Sequence, residues 1–246
     1  MKSYSVGAGN TIRLGKEGRG SGQRSFAVSA GVQNFGYAAV PVLGVLFVTE
    51  ESGDGVLGVL FVHSLGVELA LWVFGVVILT ASFSQLRKHL LNGPVIGVLL
   101  GLLMSYSGLW KWFEPDGNLI GGAIRQAVNW LGVCAFPTAL FLVGATLFDL
   151  VRRESMDWKV VTGGVLVRNV MMSAVILCAA KSLPVAEELR QVLVVQAAMP
   201  AAVTPIILTR LFGGQPQVAV QVVVATSVVS LVSMPLWVAL GMAWVF

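Results

Sequence analysis

The sequence predicts an all-α polytopic membrane protein with about seven transmembrane helices. Of the 246 residues, 56% are hydrophobic and only 11% are charged, whereas soluble domains are about 25% charged. The mean hydropathy is +0.84, and several uncharged runs reach the roughly 20 residues that cross a hydrocarbon core. These runs do not alternate apolar and polar residues, which argues against a transmembrane β-barrel.

The predicted organisation is a polar arm followed by one transmembrane domain. Residues 1–24 are glycine-rich and basic, and we expect a disordered cytoplasmic arm there. The domain covers residues 25–246. In chain order its predicted spans are about 25–48, 56–81, 95–110, 126–148, 160–180, 191–209 and 218–245. In the third span Gly97 and Gly101 have a spacing that favours close helix approach, and Ile120–Arg125 is expected to lie in the membrane interface.

The charges of the loops predict the orientation. With seven spans, one side collects eleven Lys/Arg and four Asp/Glu, and the other collects three Lys/Arg and seven Asp/Glu. Because basic loops remain in the cytoplasm, the N-terminus is expected inside and the C-terminus outside. The expected location is a bacterial-type inner (plasma) membrane.

Two of the predicted spans contain polar and backbone-breaking residues near their centres. The first has Gln33, Asn34 and Pro41, and the sixth has Gln196, Met199, Pro200 and Thr204, with Pro205 beside them. Proline removes a backbone donor and frees a carbonyl one turn earlier. In lipid such a break is tolerated only where it is buried in protein or lines a wet cavity.

The two interrupted spans are expected to run in opposite directions, because they lie five spans apart. Antiparallel broken helices in corresponding positions are typical of inverted-repeat transporters, in which they meet at the substrate site. A half-helix N-terminus there would favour a carboxylate. The alternative is structural: prolines are common in membrane helices, and an amide can simply join two helices.

Several stretches resemble the auxin efflux carrier family of transporters. "NFGYAAVPVLGVLF" resembles the family's fourth helix and "FPTALFLVGATL" its seventh. "LVVQAAMPAAVTPIILTRLFGG" and "SVVSLVSMPLWVAL" resemble the ninth and tenth. The resemblance covers residues from about 24 to the end, and "QAAMPAA…PLW" is its most specific part.

The resemblance implies a secondary carrier for a small organic anion, with the fold of bile-acid/sodium symporters. That fold has ten helices in two inverted repeats, and its fourth and ninth helices are broken at prolines. The match places Asn34 and Pro41 on one break and Gln196, Met199 and Pro200 on the other. The seven predicted spans correspond to the family's last seven helices. The chain is therefore expected to be an N-terminally truncated member, to carry a wrongly assigned start, or to need a partner with the missing helices. A second copy of the chain, in a homodimer, is the other expected protein partner.

Three further polar residues lie within the predicted spans. Arg168 could attract an anion, pair with Glu68, or extend to the cytoplasmic interface. Glu68 is a candidate proton-coupling carboxylate, and His63 is expected to form a hydrogen bond between helices. Asn169 is expected to point away from Arg168.

The sequence carries no pattern of an enzyme, a metal site or a cofactor site, and the basic residues form no nucleic-acid stripe. The predicted function is a permease that moves a carboxylate or similar anion by alternating access. Its expected partners are that anion and the lipid bilayer. One alternative is a non-transporting membrane subunit or remnant that packs with a full-length carrier. The other is an intramembrane enzyme using His63, Glu68 and Arg168.

Overall fold

The structure, a computed structural model, describes residues 16–36, 38–47, 55–82, 93–113, 119–153 and 156–246. Within these ranges the chain is helical apart from turns and one isolated antiparallel bridge. In chain order the helices are α1 (Lys16–Gly31), α2 (Ala39–Phe47), α3 (Gly55–Thr80), α4 (Gly93–Ser107), α5 (Leu119–Arg153), α6 (Trp158–Ser182), α7 (Glu187–Ala198), α8 (Thr204–Leu211) and α9 (Pro216–Val245). A short 3₁₀ helix follows α4 at Leu109–Phe113.

Three of these helices, α3, α6 and α9, are long and apolar enough to cross a membrane. They coincide with the second, fifth and seventh predicted spans. The third and fourth predicted spans fall on α4 and α5. The first and sixth fall on two interrupted segments, α1–α2 and α7–α8, whose separate helices have 16, 9, 12 and 8 residues. The described part of the chain is therefore an all-helical protein with the helices of a polytopic membrane protein.

Two predicted boundaries require correction. Helix α1 begins at Lys16 rather than after residue 24, so the end of the predicted arm is helical; residues 1–15 lie outside the described residues. The Ser21 hydroxyl donates to the Gly213 carbonyl, and the Ser25 hydroxyl accepts from the Gln215 N–H at 2.8 Å. These contacts hold the polar start of α1 against the turn before α9.

The second correction concerns α5. The fourth span is predicted to begin at about residue 126, but its helix begins at Leu119 and runs to Arg153, so the lead-in Ile120–Arg125 is continuous with it. Pro137 lies inside this helix. Gly97 and Gly101 on α4 have no atom within 4 Å of an added Cβ among the described residues, so the close approach predicted there is not made within this part of the chain.

Four apolar clusters join the helices around the two interruptions. One joins α2, α3 and α7 around Leu43, Leu60 and Val195, and another joins α1, α8 and α9 around Ala30 and Ile206. The remaining two join α1 with α3 and α8, and α6 with α7 and α9. Both interruptions are therefore enclosed by packed helices.

Candidate functional site

The described residues between Gly31 and Ala39, a stretch called here the first break, are not helical, and neither are those between Ala198 and Thr204, the second break. The two breaks contact each other directly. The Asn34 N–H donates to the Pro200 carbonyl at 2.8 Å, and the Ala202 N–H donates to the Val32 carbonyl at 2.9 Å. These bonds flank an antiparallel bridge between Gln33 and Ala201. The prediction that the interrupted segments meet in opposite directions is confirmed at this point, called the crossing.

Side chains add to the backbone pairing at the crossing. Gln196 lies on the last turn of α7 and is fully buried. Its Nε2 donates to the Phe35 carbonyl at 3.0 Å, and the Ser64 hydroxyl of α3 donates to the same carbonyl at 3.3 Å. The Ala201 N–H donates to Thr226 Oγ1 of α9 at 3.2 Å. The polar backbone of both breaks is thus satisfied mostly inside the protein, as an interruption in a membrane segment requires.

Two of the prolines lie in the first turn of the helix that follows each break, and a third lies within a break. Pro41 is an exposed residue in the first turn of α2, where a missing N–H costs no helical hydrogen bond. The first break therefore precedes Pro41, contrary to the expectation that this proline lies on it. Pro205 has the corresponding place in the first turn of α8, which begins at Thr204. Pro200 lies in the second break itself, and its carbonyl forms part of the bridge.

Each break brings one negative and one positive helix end to the crossing. The C-terminal ends are those of α1 and α7, and the N-terminal ends are those of α2 and α8. A helix end carries about half a unit charge, positive at the N-terminus and negative at the C-terminus. The sign of the field at the crossing therefore depends on which of these ends is neutralised.

Arg168 neutralises the negative end of α7. Its guanidinium is fully buried; Nε donates to the Met199 carbonyl at 3.0 Å and Nη2 donates to the Gln196 carbonyl at 3.1 Å. The Ser173 hydroxyl of the same helix donates to the Ala197 carbonyl at 2.6 Å. Among the described residues, Arg168 Nη1 has no hydrogen-bond partner although it is buried. The crossing therefore holds a buried positive charge, one nitrogen of which, Nη1, has no partner among the described residues.

Two sequence-based alternatives for Arg168 are wrong. The side chain does not extend to an interface, since none of it is exposed. It does not pair with Glu68 within the described residues, because Glu68 Oε1 accepts from Trp72 Nε1 at 2.8 Å and the guanidinium contacts carbonyls. The freed carbonyls of α7 provide the partners that a distant carboxylate was expected to provide.

Sequence reasoning missed the part played by Asn169. A π-helical segment, Leu166–Met172, widens α6 so that Arg168 and Asn169 are both buried. Asn169 Nδ2 donates to the Thr226 carbonyl at 3.3 Å and to Ser233 Oγ at 3.1 Å, and Trp237 Nε1 donates to the Asn169 carbonyl at 2.6 Å. Wide helical turns of this kind are often found at functional sites. The adjacent polar pair Arg-Asn in an apolar span was the available signal.

The remaining candidates lie near the first break. Gln33 and Asn34 are half-buried, and within the described part no hydrogen bond involves their side chains. Glu68 is also half-buried and lies four residues beyond Ser64, about 6 Å along α3 from the contact with the first break. His63 has a buried Nδ1 without a partner among the described residues, so its predicted interhelical bond is not seen at this atom.

An apolar cavity of about 290 Å³, open on one side where Phe74 and Ile78 are exposed, leads away from Gln33 between α1 and α3. Its lining includes Val28, Val32, Leu71 and Phe74, and Gln33 is the one polar side chain in it. A solute at the first break could therefore place an apolar body in this cavity while a polar group remains at the crossing.

The crossing places this chain in a class of helical membrane proteins in which two interrupted helical segments pair with each other inside the protein. Residues 76–238 match the family model described as membrane transport protein, the auxin efflux carrier domain. This match covers well over half of the chain, and the chain belongs to this family. No curated protein and no solved structure matches the chain significantly.

The matched residues include the second break and Arg168, whereas the first break and Glu68 precede residue 76. The family predicted from the motifs is therefore confirmed, and with it a role in membrane transport and an integral membrane location.

Proposed function

We propose that this protein is a secondary carrier that moves a small organic anion, such as a carboxylate, across a membrane by alternating access. The family supports transport, and the antiparallel pairing of the two breaks beside a buried guanidinium supports the site and the charge of the substrate. In this proposal the two interrupted segments are corresponding helices of inverted repeats.

The preference for an anion follows from the balance of charges at the crossing. Arg168 offsets the C-terminal end of α7, and the N-terminal ends of α2 and α8 remain. Two partial positive charges and a guanidinium donor then exceed the single remaining negative end, that of α1. A carboxylate would accept hydrogen bonds from Asn34 Nδ2 and Gln33 Nε2, and the positive ends of these helices would stabilise its charge.

The preference for an organic anion follows from the cavity beside Gln33. Its apolar walls would hold a hydrocarbon body, and they offer no donor that would stabilise a small inorganic anion. The proposed roles are therefore a carboxylate at the crossing, held by Gln33, Asn34 and the helix ends, and an apolar body between α1 and α3. Met199 and Pro200 in the second break, with Gln196 and Thr204 on the helices that flank it, complete the site, and Pro41 pre-organises the start of α2.

Uptake into proteoliposomes tests this function. The purified chain is expected to accumulate labelled monocarboxylates with an apolar body more readily than inorganic anions, and to exclude organic cations of the same size. Asn34→Ala and Gln196→Ala should each reduce uptake. Equal uptake by the wild type and both variants would refute the site. Binding of the anion without uptake would favour the alternative of a non-transporting subunit.

A further inference from the structure

The end of α7 is covered by side chains of α6. The carbonyls of the last turn of a helix have no partner in the helix itself and carry partial negative charge. Here the Gln196 and Met199 carbonyls accept from Arg168, and the Ala197 carbonyl accepts from Ser173. Three carbonyls at the end of this helix are thus paired with one guanidinium and one hydroxyl of α6.

Carbonyls of this kind have a recurrent role in secondary transporters. Unwound backbone and the C-terminal ends of half-helices coordinate the coupling cation, while half-helix N-termini face anionic groups of the substrate. In this protein the corresponding carbonyls of the second break already hold a cation that is part of the chain. Arginine stays charged in proteins, so this cation neither leaves nor changes with the ion gradient.

We propose that Arg168 is a tethered cation that occupies the place of a mobile coupling cation, so that the second break does not bind Na⁺. The consequence for transport rests on the proposed carrier function: the anion would move without any requirement for Na⁺ at this break. Coupling would then fall to a group that can change its charge, and Glu68, one turn beyond Ser64 on α3, is a carboxylate near the first break. Arg168 is then a positioning residue that keeps the backbone of the second break in its observed conformation.

The wild-type protein provides the first test. Its apparent melting temperature in detergent is expected to be the same in sodium, potassium and choline chloride at equal ionic strength. A saturable rise in melting temperature with Na⁺ alone would overturn the proposal. This measurement requires no transport activity.

Chemical rescue of Arg168→Ala provides the second test. Removal of the guanidinium leaves the Met199 carbonyl without this partner and the Gln196 carbonyl with the Met199 N–H alone, and the melting temperature should fall by about 5 °C. Millimolar guanidinium or Na⁺ should restore at least half of this loss by entering the vacated position. Arg210→Ala removes an exposed arginine from the end of α8 and serves as the matched control, without any expected recovery. Equal responses of the two variants to guanidinium and Na⁺ would show that Arg168 only fills space, and would overturn the proposal.

Arg168→Lys keeps the test decisive if Arg168→Ala does not fold. The ammonium retains the charge and three donors but lacks the fork of the guanidinium. The Lys variant should fold with a smaller loss of melting temperature and remain insensitive to Na⁺; stabilisation of this variant by Na⁺ would contradict a tethered cation. Failure of wild-type uptake with the expected melting temperatures would reject the carrier function and leave the cation assignment in place.

Discussion

Asn34 and Pro200, 166 positions apart in the sequence, are joined by a backbone hydrogen bond of 2.8 Å at the crossing of the two interrupted segments. This bond uses the main chain of both residues and leaves the Asn34 side chain available. The main-chain groups of these two residues therefore hold the crossing together, while the Asn34 side chain is free to contact a solute. That separation makes the roles of individual side chains experimentally distinguishable.

Asn34→Ala should impair substrate binding without destabilising the protein. The backbone bond to Pro200 remains, so we expect a change in unfolding free energy within about 0.5 kcal/mol. Loss of a hydrogen bond to a charged carboxylate should raise KM by roughly tenfold to a hundredfold. Uptake kinetics and thermal unfolding on the same preparation check this. A large drop in melting temperature with unchanged KM would mark Asn34 as a structural residue.

Gln196→Ala should affect stability as well as transport. The variant loses the bond from Nε2 to the Phe35 carbonyl inside a fully buried site, at a cost of about 1–3 kcal/mol. Gln217→Ala removes an exposed glutamine in the first turn of α9 and is the matched control. Thermal unfolding of the two variants gives the comparison. If both variants melt at the wild-type temperature, the hydrogen bond from the Gln196 amide across the crossing contributes nothing to stability.

A disulfide should form between Gln33→Cys and Ala201→Cys. The two residues are directly opposite in an antiparallel bridge, flanked by the hydrogen bonds of their neighbours, and such pairs have Cα atoms about 4.5 Å apart. That distance suits a disulfide. The exposed Cys134 and Cys178 are first replaced by serine. Mass spectrometry of oxidised membranes detects the bridge.

The matched control for this cross-link is Gln33→Cys with Ala202→Cys. Successive side chains of extended backbone point to opposite faces, so the shift of one residue moves the second sulfur away from the first. Equal cross-linking of both pairs, or none of the first pair, would contradict the observed register of the crossing.

Glu68→Gln should uncouple transport from the proton gradient and keep the fold. The amide oxygen can still accept from Trp72 Nε1, so the melting temperature should be unchanged. Carboxylates within membrane segments mark proton pathways, and the variant should no longer accumulate anion in response to a pH difference. Glu187→Gln, at the exposed start of α7, is the control. Accumulation by Glu68→Gln at the wild-type level would exclude Glu68 as the coupling group.

Gly241→Ala should destabilise the packing of α9 on α7. An added Cβ would lie 2.6 Å from Val194 Cγ1, in a fully buried contact. Overpacking of this kind costs about 1–3 kcal/mol. Gly101→Ala, where no described atom lies within 4 Å, should be neutral or gain up to about 1 kcal/mol of helix propensity. Thermal unfolding of both variants in detergent provides the measurement.

The sequence predicted the helices and the two breaks better than it predicted the positions of the polar groups. Hydrophobic runs follow directly from the requirement to bury apolar surface in lipid, so α3, α6 and α9 were readable from composition. Boundaries were less accurate: α1 begins at Lys16 because Ser21 and Ser25 bond to the turn before α9. Contacts between residues so far apart leave no local pattern in the sequence.

The sequence by itself determined that this chain is a helical membrane protein of a transport family, with two interrupted segments that carry amides and prolines. Only the tertiary structure decided that the interruptions pair through Gln33 and Ala201. It also decided that the partners of Arg168 are the carbonyls at the end of α7 and not the carboxylate of Glu68. The physical reason is that proline and amide residues reveal where a helix must break. The partners that satisfy the freed backbone groups are supplied by whichever distant helices pack around the break.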